Sequence, residues 1–223
     1  MKPVNVNAFD IVGPMAAAGQ IAFGAAVMRS AAGTVKGVQD ILHNILGIAD
    51  WDLVEKAEDG FYSLYDIVPI LVAGRVRVWL TSNETGKEDI EAGDYLEIAD
   101  LGGTNALPVG VFQQMGAETG TCTGAVREVG SLARAVEDVT TTNIIVVAAD
   151  LAVGGLTVTI ADSSLFTIGD YIVLEDVDGN AMINRVTDIP TSTTITLQLA
   201  STVALANATD YVHILQQVEV MLL

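Results

Sequence analysis

Two stretches in different parts of the chain read almost alike: I-E-A-G-D-Y-L-E-I-A-D at 90–100 and F-T-I-G-D-Y-I-V-L-E-D at 166–176. A Gly-Asp pair ahead of an aromatic and further apolar residues strongly constrains the local fold. Gly takes a positive φ in a tight turn, Asp bonds nearby backbone amides, and the aromatic starts the buried face of a strand. A third variant, I-A-F-G-A-A-V at 21–27, keeps the shape with Ala in place of Asp and Tyr. Asp94 and Asp170 are therefore expected to hold strand-opening turns in two β-built units, and not to form a twin active site.

The rest of the text follows the same grammar. After residue 140, L-T-V-T-I-A-D, Y-I-V-L-E-D-V, A-M-I-N-R-V-T-D-I, T-T-I-T-L-Q-L and Y-V-H-I-L-Q-Q-V-E-V-M-L-L alternate or run apolar. Turn-forming clusters such as V-D-G-N and P-T-S-T separate them. Five or six strands in this span predict a small barrel or sandwich. Upstream, Ala25–Arg29 and Thr34–Val38 form a hairpin pattern around A-A-G, and 67–80 reads as two strands around Ala73-Gly74. Residues 11–28 are apolar but broken by Pro14, Gln20 and glycines, which favours short strands around a Gly turn over a membrane helix. No export or anchoring signal is expected. Two segments have helical spacing: Val38, Ile41, Leu42, Ile45 and Ala49 within 38–57, and Val129, Leu132, Ala133 and Val136 within 128–139. The latter also fits an irregular segment. The fold expected is mostly β: an N-terminal arm (1–18), a β-barrel with a short helical insertion (19–140), and a small C-terminal β-barrel or sandwich (141–223), with T-T-T-N at 140–143 as linker.

Composition limits the function classes. Half the chain is apolar (51%) but only 5% is aromatic, so the apolar mass is Ala, Val, Ile and Leu, which suits short strands and an obligate oligomer. A net charge of −18, with four Lys and six Arg that do not cluster, argues against nucleic-acid binding. The acidity favours solubility and fits a salty environment.

Candidate chemistry is sparse. The single cysteine, Cys122, sits in a Thr/Gly run and excludes an internal disulfide and a multi-cysteine zinc site. Asp176, Asp178 and Asn180 offer alternate oxygens, but the A-M-I-N-R-V that follows supplies no carboxylate for a calcium loop, so a hairpin turn on Asp178-Gly179 is expected. His43 and His213 have no metal-ligand spacing, and the acidic pairs Glu88-Asp89, Glu137-Asp138 and Glu175-Asp176 read as solvated loop or strand ends. Trp51 and Trp79 are expected in a core or an interface. No catalytic, cofactor-binding or metal residue is assigned.

The order G-Q-I-A-F-G-A-A-V (19–27), G-T-V-K-G-V (33–38), I-V-P-I-L-V-A-G-R-V-R-V (67–78), I-E-A-G-D-Y-L (90–96) and P-V-G-V (108–111) resembles the capsid decoration, or cement, proteins of tailed bacteriophages and archaeal tailed viruses. V-G-S-L-A-R-A-V-E-D-V-T at 129–140 is similar to text near the end of such domains, and the C-terminal unit resembles a β-module of virion surface proteins. The resemblance omits 38–66. It implies a non-enzymatic virion protein, assembled in the host cytoplasm and placed on the outer capsid surface. Its partners would be the major capsid protein and itself, as a homotrimer, with no nucleic acid, membrane or cofactor. The rivals are a vertex turret, tail-tube or fibre-attachment subunit, a carbohydrate-binding adhesion module, and a glycan hydrolase.

Overall fold

The computed structural model describes residues 6–30, 33–38, 45–50, 60–81, 89–99, 110–114, 132–140 and 144–223, with the backbone alone for 6–14. In chain order the strands are β1 (Val6–Ala16), β2 (Ile21–Ala22), β3 (Ala26–Arg29), β4 (Val35–Gly37), β5 (Ile45–Ala49) and β6 (Phe61–Tyr62). Then come β7 (Ile67–Leu80), β8 (Tyr95–Ile98), β9 (Phe112–Gln114), β10 (Ala133–Ala135), β11 (Ile145–Val146) and β12 (Thr157–Thr159). The chain ends with β13 (Tyr171–Glu175), β14 (Ala181–Thr191), β15 (Thr194–Leu197), β16 (Tyr211–Ile214) and β17 (Gln216–Leu222). The fold is mostly β, as expected. Among the described residues, no helix is long and apolar enough to cross a membrane.

The long strand β7 organises the first sheet. It pairs antiparallel with β17, and the path β17-β10-β8-β9-β7 returns to it, so these five strands form a closed barrel. Alternate residues point inward: Val76, Val78, Leu80, Leu96, Ile98, Phe112, Val218 and Val220 are all buried in one cluster. The strands β5, β3 and β4 extend the sheet, and β1 lies along the first half of β7. Residues 67–80 are one strand and not two. Gly74, at φ 101°, marks where β7 leaves most of its pairing with β1 for pairing with β17.

The second sheet runs β11-β16-β13-β14-β15-β12 and curls into a half-barrel, with one isolated bridge, Val147↔Ile160, just beyond β11 and β12. Its inner face buries Ile172, Leu174, Met182, Val186, Ile195, Leu197, Val212 and Ile214. Both faces of β13 and β14 are used. Tyr171, Val173, Ala181 and Ile183 turn outward into a third cluster with Ile21, Phe23, Phe61, Tyr62 and Trp79. A strand covered on both sides needs no polar alternation, which explains the unbroken apolar run Y-I-V-L. At the rim of this half-barrel, Asp162 caps a single 3-10 turn (Ser163–Leu165), and hydrogen bonds from the Ser164 side chain and backbone lower its carboxyl pKa.

Four further expectations change. From Val6 onward the presumed arm is the strand β1, paired antiparallel with β7 from Val6↔Arg75 to Ala16↔Ile67 through four register shifts. The described part of the helical insertion, Ile45–Ala49, is a strand between β3 and β7; residues 39–44 and 51–57 lie outside the described residues. Its apolar spacing arises from packing on both sides. Gly47 is required there because a Cβ would stand 2.3 Å from the Leu71 carbonyl oxygen. The second helical spacing falls on β10, three residues with only Arg134 exposed, too short to show a period of two; 128–131 lie outside the described residues. Finally, Y-V-H-I-L-Q-Q-V-E-V-M-L-L is two strands serving two sheets. It divides at Leu215, so the unit expected over 141–223 gives its last strand to the first barrel.

Candidate functional site

The two Gly-Asp-Tyr stretches have the same local structure. In each, four residues form a turn: Glu91–Asp94 and Thr167–Asp170. The Asp amide donates to the first residue's carbonyl at 3.0 Å in both. The Asp Oδ2 accepts that residue's own amide, at 3.0 Å from Glu91 and 2.7 Å from Thr167. The third residue, Gly93 or Gly169, sits at φ 109° or 103°, the positive φ that a type II turn places there. Turns with the same 4→1 bond and positive φ open at Ala22–Ala25, Ser63–Asp66 and Ala152–Gly155. The Ser63 turn carries Tyr65 at φ 70° where glycine is usual, and Asp66 Oδ2 accepts the Ser63 amide at 2.6 Å. Sequence inspection missed it because the glycine that marks the other copies is absent.

The likeness extends across the sheet. Gly93 donates to Ala135 and Ala135 to Asp94, at 2.9 and 2.8 Å; Gly169 donates to Val186 and Val186 to Asp170, at 2.8 and 2.9 Å. Opposite each tyrosine stands an arginine, Arg134 facing Tyr95 and Arg185 facing Tyr171. Each arginine Nε donates to the turn glycine's carbonyl, at 2.7 and 3.3 Å, and its guanidinium lies over the tyrosine ring, 5.5 and 5.7 Å from the centroid. The repeated unit is therefore Gly-Asp-Tyr plus a cross-strand arginine. The arginines come from distant sequence, so no local motif announces them.

With the Asp carboxylates tied to backbone amides, their role is to hold turns. Asp170→Ala is expected to lower unfolding free energy by about 1 kcal/mol, and Asp170→Asn by only a few tenths, because an amide oxygen still accepts the Thr167 N–H. Chemical denaturation checks this; a loss above about 3 kcal/mol for the Asn variant would require another role for the charge.

The remaining candidates disperse. Asp176 accepts the Asn180 amide at 2.8 Å and its side-chain amide at 2.7 Å, closing the expected hairpin turn with Gly179 at φ 78°. Glu175 and Asp176 are adjacent but serve different partners: Glu175 Oε2 lies 2.6 Å from His213 Nε2, whose Nδ1 lies 3.2 Å from the Thr81 hydroxyl. His213 and Thr81 are both buried, so this chain joins the end of β7 to β16 and β13. Glu137 accepts the Glu219 amide at 2.8 Å, and Asp138 accepts the Ala92 amide at 2.7 Å. Trp79 is in the core, stacked on Tyr171. His43, Trp51, Glu88 and Cys122 lie outside the described residues. Among the described residues, no group of three or more His, Cys, Asp or Glu is arranged to hold a metal ion.

One polar cleft stands where the two sheets meet. It is lined by Arg77, Trp79, Asp170, Tyr171, Arg185 and Gln217, together with neighbouring backbone. Compared with protein-family models and with curated proteins, the sequence matches none.

Proposed function

We propose that this chain is a structural virion protein that decorates the outer surface of a tailed-virus capsid and braces neighbouring capsomers as a homotrimer. The observation that carries the reading is how the polar chemistry is used. Asp66, Asp94, Asp170, Asp176 and Asp138 all accept backbone amides of turns, so these five carboxylates are committed to architecture. Two strand-built bodies share one aromatic and aliphatic cluster and a returning strand, which makes a stiff brace suited to resisting pressure from within a shell. The strand-opening turns are also the features on which the resemblance to decoration proteins rests. The test has two parts: light scattering of the purified chain, and co-sedimentation with empty shells of the same virus's major capsid protein. A mass of three subunits and saturable binding to shells are expected. A stable monomer that stays in the supernatant would overturn the reading.

A further inference from the structure

The two Gly-Asp-Tyr units are alike internally but not in their surroundings. Around Tyr171 the first barrel and the second sheet leave an open cleft of about 310 Å³, into which β7 brings Arg77 and β17 brings Gln216 and Gln217. Two of the chain's six arginines converge there although its net charge is −18. Among the described residues the acid lining the cleft is Asp170, which already accepts the Thr167 amide. Arg77 Nη1 stands 3.4 Å from Glu137, longer than the roughly 2.7–2.9 Å of a full charge-assisted bond. The Arg185 guanidinium is fixed by the Gly169 carbonyl and the Tyr171 ring, and that ring is stacked on Trp79 at 4.4 Å. The cationic group is thus pre-positioned. The aromatic faces are occupied by each other and by Arg185, and Trp79 and Tyr171 are only 6% and 8% exposed, so they offer a ligand no stacking platform.

We propose that this cleft binds a small, hydroxyl-rich carboxylate of the uronic-acid class. The guanidinium groups meet the carboxylate, and the amide of Gln217, on the same face as Arg77 and Trp79, meets a ring hydroxyl. The volume lies at the lower end of the roughly 300–1,000 Å³ found for ligand pockets, which fits a single sugar ring. Binding does not depend on where the protein sits, so failure of the capsid reading and failure of this one are separable.

Saturation-transfer NMR and calorimetry with sodium glucuronate at low ionic strength test it, with glucose as the uncharged control. Transfer to glucuronate but not to glucose is expected, and it should weaken as salt is raised. Arg77→Gln is expected to weaken glucuronate binding about tenfold or more. Arg75→Gln, on the same strand but ion-paired with Glu219 and outside the cleft, should leave it unchanged. Gln217→Ala provides a second variant should Arg77→Gln fold poorly, and is expected to weaken binding severalfold. The proposal is overturned if the native protein shows no transfer to glucuronate, if glucose binds equally, or if folded cleft variants bind like the native protein.

Discussion

A chain ending at Leu215 is expected to lose the first barrel, although the deleted residues follow the whole second sheet in sequence. The deletion removes β17, which pairs with β7 over seven positions, from Gln216↔Leu80 to Leu222↔Gly74, and with β10 on its other side. Val218 and Val220 are fully buried inside the barrel, and burying each contributes about 1.5–3 kcal/mol. Together they approach the 5–15 kcal/mol of a whole domain's net stability. Opening the ring also leaves the β7 and β10 edges without backbone partners, and Arg75 loses Glu219, its ionic partner at 2.8 Å. Near-UV circular dichroism and thermal melting check this. The truncated chain should show no native aromatic signal from Trp79 and no cooperative transition of the intact protein's size. Retention of both would mean that β7, β8, β9 and β10 hold their barrel without closure.

This dependence marks where the sequence was legible and where it was not. Short apolar runs between turn clusters revealed the β class and most strands after residue 156, because turn chemistry is local: Asp170 bonds an amide three residues away, and Gly169 supplies the turn's positive φ. The same locality made Gly-Asp-Tyr interpretable as a turn. Partner choice is not local. Nothing in H-I-L-Q-Q-V says that His213 faces the second sheet and Val218 the first, since both stretches are equally apolar and the division rests on Leu215, whose amide bonds the Tyr171 carbonyl. Ile45–Ala49 failed for a related reason: a strand buried on both faces has no polar phase, and four apolar residues then match a helix as well as a strand. The cleft was invisible because its arginines, Arg77 and Arg185, lie far apart in sequence and meet only when the two sheets pack.

Trp79→Ala is expected to destabilise both bodies together, by about 3–5 kcal/mol. The indole sits at their junction. Its ring stacks on Tyr171 of the second sheet, with centroids 4.4 Å apart and planes at 29°, while Nε1 donates to the Phe23 carbonyl of the first. Tyr171 reaches Phe61 as well, and its hydroxyl packs on Gly60, where a Cβ would stand 1.5 Å from it. Trp79→Phe keeps much of the packing but leaves the Phe23 carbonyl without that donor, which costs about 1–3 kcal/mol. A double-mutant cycle with Tyr171→Ala should return a coupling of about 0.5–1.5 kcal/mol for the stacked pair. The decisive measurement follows denaturant unfolding by amide signals from β8 and from β15, strands on opposite sides of the junction. If the sheets form one cooperative body, both sets shift to lower denaturant by the same amount in Trp79→Ala. A midpoint for β15 that stays put while β8 moves would show instead that the second sheet stands alone, and that Tyr171 and Leu215 join two independent domains.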